Sequence, residues 1–439
     1  MAGIFKAYDI RGIYGESLTE DTMYRIGRAF VTFLQCGKVV VGRDMRPHSA
    51  PLFDALARGI NEQGADVIDI GLCSTPMSYY ANGKLHADAG IMLTASHNTG
   101  EWNGVKLSRE QAIPISGATG IADIEKLVES GDFAAPSQKK GKIEKLDIMP
   151  EYKQHILQTA TLSSPLQIAA DMANAMGVIE AQVLEDIFKI TTLFSELDGS
   201  FPNHEANPLK SETFADLQQL VRKGDFAFGV AFDGDADRVG FVDETGQIVP
   251  MDLITALIAE DLLAHEKGVI FYDLRSSKVV KEIIESNGGK PMMSRVGHTF
   301  IKQQMRDNNA VFAGELSGHY YFRHNYFTES SSMAVICVAN IIDRSKKTLS
   351  ELIKPLKRYH ASGEINSTVE NTQKVFERIR SNYSDGHIFE LDGVSVEYDD
   401  WWFNVRASNT EPLVRLNLEA KTGELMEEKQ AELLKLIRK

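Results

Sequence analysis

The stretch "KVVVGRDMRPHSAPLFDALARGINEQGADVIDIG", Lys38 to Gly71, decides the fold. A short apolar run ends at Asp44, a helical stretch follows, and a second apolar run closes the segment. The pattern returns at Leu166–Gly199, "LQIAADMANAMGVIEAQVLEDIFKITTLFSELDG", and at Gly268–Gly297, "GVIFYDLRSSKVVKEIIESNGGKPMMSRVG". Each first run ends in an aspartate: Asp44, Asp171 and Asp273. In the third copy Val279, Val280, Ile283 and Ile284 form a helical apolar stripe. Strand, helix, strand with a polar loop after the first strand predicts α/β domains with mainly parallel neighbours. Such sheets bind ligands at the carboxyl ends of their strands.

Working outward, 439 residues exceed one ordinary core, and two to four domains are expected. Ala135–Asp147, "APSQKKGKIEKLD", is charged and has no apolar period, so it reads as a link between the first two domains. "DETGQIVPMD", Asp243–Asp252, carries a turn signal that ends the second. After Ala361 the pattern changes. "YDDWWFNVRASNTEPLVRLNLEA", Tyr398–Ala420, reads as two strands around a loop, ahead of a charged C-terminal helix. The expected division is 1–145, 146–248, 249–360 and 361–439: three related α/β domains and a smaller α+β domain.

Composition excludes several classes. The hydrophobic fraction of 43% and charged fraction of 25% are those of a globular chain. A net charge of −14 argues against nucleic acid as a partner. No apolar run is long enough to span a membrane; the longest, "MAVICVANII", Met333–Ile342, reads as a buried helix. The N-terminus carries charge where a signal peptide would be apolar. Cys36, Cys73 and Cys337 lie far apart with no CxxC pair, which predicts neither disulfides nor zinc and points to a reducing cytoplasm.

Four loops can carry chemistry. "FAFGVAFDGDADRVGFVD", Phe226–Asp243, alternates like a strand and then supplies Asp233, Asp235 and Asp237. Three carboxylates within five residues repel one another unless a cation sits among them. Oxygen ligands suit Mg²⁺. An EF-hand would need glycine where Arg238 stands, and a helix after it. In "AGELSGHYYF", Ala313–Phe322, Glu315, Ser317 and His319 alternate and suit sugar hydroxyls, although a lone glutamate on a glycine-flanked turn is more often solvated. "VRASNTEPLVRL", Val405–Leu416, offers Arg406, Ser408, Asn409 and Thr410, with Arg415 beyond; by inventory this is a phosphate cradle, or else a capped turn. The fourth, "TASHNTGEWNGVKL", Thr94–Leu107, follows the buried run Ala89–Leu93. Ser96 in such a loop is ordinarily a turn residue. No GxSxG is present, and His97 is too close in sequence to act as a triad base. The company of a cation site, a phosphate cradle and Lys106 instead suggests phosphoryl transfer, in which a hydroxyl is the group phosphorylated.

Together these loops resemble the α-D-phosphohexomutases, most closely the phosphomannomutase/phosphoglucomutase branch. "FKAYDIRG", "TASHN", "DGDADR", "GELSGH" and "RASNTEP" resemble that family's motifs, in the family's order, over nearly the whole chain. The resemblance implies four domains around a central cleft, the fourth similar to the TATA-binding-protein fold. It implies interconversion of hexose 1-phosphate and hexose 6-phosphate, for mannose and also glucose. It implies a phosphorylated Ser96, Mg²⁺ on Asp233, Asp235 and Asp237 and on that phosphoserine, a hexose 1,6-bisphosphate intermediate, and the same bisphosphate as activator. Arg11, His97 and Lys106 become candidates for proton transfer, Arg238 and Lys106 for charge stabilisation, and Arg275 and His298 further substrate contacts. Hexose phosphates are the expected partners, with no nucleic acid and no membrane, for a monomer or weak dimer in the cytoplasm. Two departures stand out: Thr99 replaces the proline usual after the asparagine, and "DMANAMG" replaces a glycine-rich turn. A phosphoglucosamine mutase, a silent sugar-phosphate binder on the same fold and a magnesium phosphatase stay open as alternatives.

Overall fold

The computed structural model describes residues 3–407 and 413–439. They divide into two compact units: residues 3–251, 297–313 and 317–350, and residues 252–296, 314–316, 351–407 and 413–439.

The first unit contains two sheets built on one plan. In the first, β1 (Ile10–Ile13), β2 (Lys38–Arg43), β3 (Asp66–Leu72), β4 (Ala89–Leu93), β5 (Trp102–Arg109) and β6 (Ile143–Lys145) lie in the order β1-β5-β4-β2-β3-β6. In the second, β7 (Leu166–Asp171), β8 (Phe188–Leu193), β9 (Phe228–Phe232), β10 (Val239–Asp243) and β11 (Ile248–Val249) lie in the order β11-β10-β9-β7-β8. Each sheet has a parallel core, β3-β2-β4 or β8-β7-β9, and one antiparallel neighbour, β5 or β10. The Ser96 loop, between β4 and β5, and the Asp233–Asp237 loop, between β9 and β10, therefore occupy the same place in two copies of one unit. Both β4 and β9 are buried throughout, as central strands covered on two faces must be.

The repeated aspartates share a role. Asp44, Asp171 and Asp273 each accept the backbone N–H two residues on, from Arg46, Ala173 and Arg275 at 3.2, 2.9 and 2.7 Å. This turn folds the chain away from the strand end. Helices α1 (Glu20–Leu34), α2 (Ser49–Glu62), α3 (Thr75–Lys84), α4 (Gly177–Leu184), α5 (His298–Asp307) and α6 (Ser331–Ser345) complete the parts of this unit that matter below. The run Met333–Ile342 lies in α6 and is buried throughout, as expected.

One expectation needs correction. Ala135–Asp147 is not only a link: Ile143–Lys145 adds a parallel edge strand beside β3. All three of its residues are exposed, so only backbone pairing makes the strand and no side-chain period betrays it. Phe228–Phe232 is the strand that the alternation predicts, and it is buried on both faces. Gly229 and Ala231 are buried too, and Gly229 lies against Leu217 and Val221 of the helix Ala215–Lys223.

The second unit holds the parallel pair Val269–Asp273 and Lys290–Ser294, joined through the helix Lys278–Ser286, whose buried residues are the predicted Val279, Val280, Ile283 and Ile284. It also holds a five-stranded antiparallel sheet in the order His360–Thr368, Leu413–Ala420, Trp401–Ala407, Val394–Glu397, His387–Phe389. Phe403, Val405, Leu416 and Leu418 of that sheet share a core with Phe376, Ile379, Leu433 and Ile437 of two helices.

Asp252 joins the starts of two helices in this unit, accepting N–H bonds from Leu253 and Ser277, each at 2.9 Å. Burial pushes its pKa from 3.8 up to about 6. The folded chain thus holds the proton more tightly than the unfolded one. This group's contribution falls as pH rises from 3.8 to about 6 and is flat above. Ionisation then costs about 3 kcal/mol at neutral pH. Asp252→Asn removes that cost but loses one N–H bond, worth about 1 kcal/mol. The variant is expected to melt above the parent at pH ~7.5 and below it at pH ~3, where Asp252 is protonated in both states, by thermal denaturation. A variant that melts lower at both pH values would count against an ionisation cost at Asp252.

Candidate functional site

The two equivalent loops of the first unit meet. Ser96 Oγ donates to Asp233 Oδ2 at 2.9 Å and lies 3.2 Å from His97 Nδ1. Gly234 packs so tightly on this loop that a Cβ there would fall 2.1 Å from the Ser96 carbonyl oxygen. Only glycine permits that approach. Ser96 itself adopts φ +52°, a left-handed conformation uncommon for a residue with a side chain, and its N–H is held by Thr94 Oγ1 at 2.9 Å. Strain of this kind clusters at functional sites. Ala236 in the acidic loop carries φ +59°.

Asp233, Asp235 and Asp237 are all buried, and one oxygen from each lies within 4.8 Å of the others. Lys106, almost fully buried, donates to Asp235 Oδ2 and Asp237 Oδ2, each at 2.5 Å. Burial opposes the charge on Lys106, yet the two carboxylates hold its pKa well above the usual lysine value. Burial, then Asp237 and Asp235, push Asp233 well above the usual carboxylate range. Burial acts in the same direction on Asp237, but Lys106, His319 and Arg238 outweigh it and hold this carboxyl well below. One lysine therefore does not neutralise three buried carboxylates. Asp235 Oδ1 is buried with no hydrogen-bond partner among the described residues. An orphaned carboxylate oxygen inside an oxygen-only donor set fits a hard divalent cation. A second group, Asp237, His319 and Glu329, also lies within 4.8 Å, but Lys302 already sits 3.0 Å from Glu329.

The remaining predicted residues of this unit surround the loops. Arg11 binds Asp9 through Nε at 2.8 Å and reaches Ala95 O at 3.0 Å and Asn98 Oδ1 at 2.6 Å through Nη1. Arg238 lies 3.8 Å from Asp233 and 3.3 Å from His319 Nε2. His319 pairs through Nδ1 with Ser317 Oγ at 2.9 Å and faces Asp237 at 3.3 Å. His298 opens α5, with Nδ1 3.5 Å from Glu329 and its ring 6.2 Å from that of His319. Burial, then Arg238 and Arg11, push His97 well below its usual pKa, and burial with Lys302 does the same to His298.

In the second unit Arg275 is oriented by Asp273, at 3.1 and 2.7 Å, and lies 4.0 Å from Glu315. Glu315 is buried, which corrects the solvated reading of a lone glutamate on that turn; the neighbouring Leu316 N–H is bonded to Asp273 at 2.8 Å. Arg406 and Arg415 are directly paired across two strands, and Glu364 bridges them at 2.7 and 3.2 Å. Two like charges side by side are held by one carboxylate, and the buried Nε of each arginine has no hydrogen-bond partner among the described residues. Ser408, Asn409 and Thr410 lie outside the described residues.

Several participants escaped the sequence reading. Arg46, with a fully buried side chain, binds four carbonyl oxygens around Ser96. Thr75 donates Oγ1 to Asp235 at 2.6 Å and its N–H to the Asp235 carbonyl at 2.9 Å. Glu364 and the buried pair Lys302–Glu329 complete the set. The only signal for Arg46 was its position two residues after the strand-ending Asp44.

Comparison with known proteins agrees over the whole chain. Profiles of the phosphoglucomutase/phosphomannomutase alpha/beta/alpha domains I, II and III match residues 2–135, 150–246 and 250–359, and that of the corresponding C-terminal domain matches 364–436. A phosphomannomutase of Methanocaldococcus jannaschii is 41% identical, over 99% of this chain and 98% of its own length. One from Escherichia coli is 39% identical, over 99% of each. The crystal structure of a phosphoglucomutase/phosphomannomutase family protein from Burkholderia thailandensis superposes with a TM-score of 0.92 at 31% identity, covering 99% of this chain and 96% of the other.

Proposed function

The chain belongs to the phosphoglucomutase/phosphomannomutase family and is a hexose-phosphate mutase, and we propose that Ser96 carries the phosphoryl group it transfers. The observation that supports this most is the Ser96 hydroxyl bonded at 2.9 Å to a buried three-carboxylate loop. The proposed cation on Asp233, Asp235 and Asp237 is Mg²⁺. When bound it would draw charge from phosphoryl oxygens, which is what a loose transition state of phosphoryl transfer requires.

The proposed cycle balances. With Ser96 as a phosphoester, the Oγ–P bond breaks as an O–P bond forms to the free hydroxyl of a hexose 1-phosphate, and the hydroxyl loses its proton. The 1,6-bisphosphate turns end for end. Ser96 then takes the 1-phosphoryl group, a proton returns to the sugar oxygen, and hexose 6-phosphate leaves. Among Arg11, His97 and Lys106, His97 is the proposed proton acceptor. Arg238 and Arg11 assist burial in holding it neutral, whereas Asp235 and Asp237 hold Lys106 protonated. Lys106 and Arg238 are then cations for the developing charge. Glu315, Ser317, His319, Arg275 and His298 are proposed for the sugar phosphate, and Arg406, Ser408, Asn409, Thr410 and Arg415 for the non-reacting phosphate. If Glu315 and Ser317 hold the 3- and 4-hydroxyls, turning the sugar exchanges those contacts and leaves the 2-hydroxyl largely unread. Mannose and glucose differ only there, so both are proposed substrates.

The test is ³¹P NMR with Mg²⁺, a trace of hexose 1,6-bisphosphate and, in parallel, mannose, glucose and glucosamine 1-phosphates. Growth of the 6-phosphate resonance from mannose and glucose is expected. Release of inorganic phosphate alone would make the protein a phosphatase, and turnover of the glucosamine compound alone would move the substrate. Stripping the metal with EDTA is expected to lower the rate by about 10² or more, with recovery on adding Mg²⁺. An undiminished rate after stripping would remove the cation from the reading.

A further inference from the structure

Two helices that begin against the acidic loop share one anchor. Thr75 opens α3 and binds Asp235 through both its hydroxyl and its N–H, at 2.6 and 2.9 Å. Ser331 opens α6 and donates its hydroxyl to the carbonyl of Ala236 at 2.7 Å. The residue beside each contact, Ser74 before Thr75 and Ser332 after Ser331, turns its hydroxyl to a single carboxylate, Glu180 of α4. Ser74 takes one carboxylate oxygen and Ser332 the other. Glu180 is fully buried, and its third donor is the Tyr152 hydroxyl, 3.0 and 3.1 Å from the two oxygens.

The arrangement has a physical consequence. The two oxygens of a carboxylate have a fixed separation, so Glu180 fixes the spacing between the starts of α3 and α6. Those starts hold consecutive residues of the acidic loop, Asp235 and Ala236. A buried carboxyl is expensive, and apolar packing would cost less if stability were its sole purpose. Fixing register is the best-attested use of such a group.

We propose that Glu180 is a positioning residue for the divalent-cation site, acting through Ser74–Thr75 and Ser331–Ser332 to set the geometry of the Asp233–Asp237 loop. This rests on the cation reading given above. Groups that orient metal ligands are commonly worth 10- to 100-fold in metal affinity. Ser332 is the cleanest handle, because its hydroxyl bonds Glu180 while Ser330, not Ser332, caps α6. Tyr152 is the internal control: its hydroxyl bonds the same carboxylate, but it belongs to neither helix start and takes no part in the Thr75–Asp235 and Ser331–Ala236 bonds.

The experiment is Mn²⁺ binding to the full chain, read from the EPR signal of free Mn²⁺, for the parent, Ser332→Ala, Glu180→Gln and Tyr152→Phe. Near-ultraviolet circular dichroism and melting temperature report the fold. Ser332→Ala and Glu180→Gln are expected to weaken Mn²⁺ binding by about 10-fold, and Tyr152→Phe by no more than about twofold. Equal affinities in the parent, Ser332→Ala and Glu180→Gln overturn the proposal alone. So does a loss in Tyr152→Phe as large as theirs, because the carboxylate would then be acting only on general packing. A parent chain that binds no Mn²⁺ overturns the cation reading and the proposal with it.

Discussion

Replacing Ser96 by alanine is expected to lower hexose-phosphate turnover by on the order of 10⁴ or more while leaving a folded protein. The expectation follows from what the hydroxyl touches and from what cannot replace it. Its partners are Asp233 and His97, both within the two equivalent loops. The nearby Thr94 hydroxyl is committed to the Ser96 N–H, and the Ser317 hydroxyl to His319. Neither is free to accept a phosphoryl group in its place. The loop should survive, because the Thr94 bond uses backbone at position 96 and Arg46 grips carbonyl oxygens. Alanine also meets the left-handed φ at no greater cost than serine. Steady-state turnover of mannose 1-phosphate measures the loss, and intact mass reports the disappearance of covalent phosphate. Turnover above about a hundredth of the parent's would sink the assignment of Ser96 as phosphoryl carrier.

The residues of that prediction were legible in the sequence for a local reason. Ser96 and the three aspartates sit in short polar loops bracketed by apolar strands, and the chemistry of each loop is written in consecutive letters. The repeated α/β unit was legible because buried parallel strands are near-continuous apolar runs. What stayed hidden depends on contacts across long separations. Glu180 meets Ser74 across 106 residues and Ser332 across 152. Thr75 meets Asp235 across 160. No periodicity links such positions, and a serine before a helix reads only as a cap, which Ser74 also is. The C-terminal domain showed two of its five strands, because Trp401–Ala407 is almost wholly buried while His360–Thr368 is mostly exposed.

Arg46 is the hidden residue with the largest expected effect. Its guanidinium has five N–H donors and five acceptors around it: Asp44 at 3.1 Å, and the carbonyl oxygens of Thr99, Trp102, Ser96 and Asn98 at 2.7, 2.8, 2.9 and 2.6 Å. The Phe201 ring lies 5.2 Å away, and Gly199 packs so closely that a Cβ would sit 2.8 Å from the Arg46 Cα. The planar fork thus shapes the whole turn that carries Ser96, including Thr99, where the family's usual proline is missing. Lysine keeps the charge beside Asp44 but has one nitrogen and three donors. Arg46→Lys leaves at least two of the five acceptors without this donor; the Thr99 carbonyl keeps the Trp102 N–H at 3.1 Å, so at least one carbonyl goes unmet, at about 1–3 kcal/mol. Arg46→Ala also strands the Asp44 charge, which costs roughly 3–5 kcal/mol and puts the fold itself at risk. The lysine variant is therefore the informative one. It is expected to melt several degrees lower and, assayed well below its melting temperature, to lose on the order of 10² in kcat, the scale of a small misplacement of a reacting group. KM for hexose phosphate is expected to stay near the parent value, because apart from Asp44 the Arg46 guanidinium bonds only carbonyls of the turn that carries the serine. A kcat that holds while KM rises would mean that Arg46 acts on sugar binding. A lysine variant with parental kcat would mean that the Ser96 turn keeps its shape without the fork, with Arg11, through Ala95 and Asn98, left to hold it.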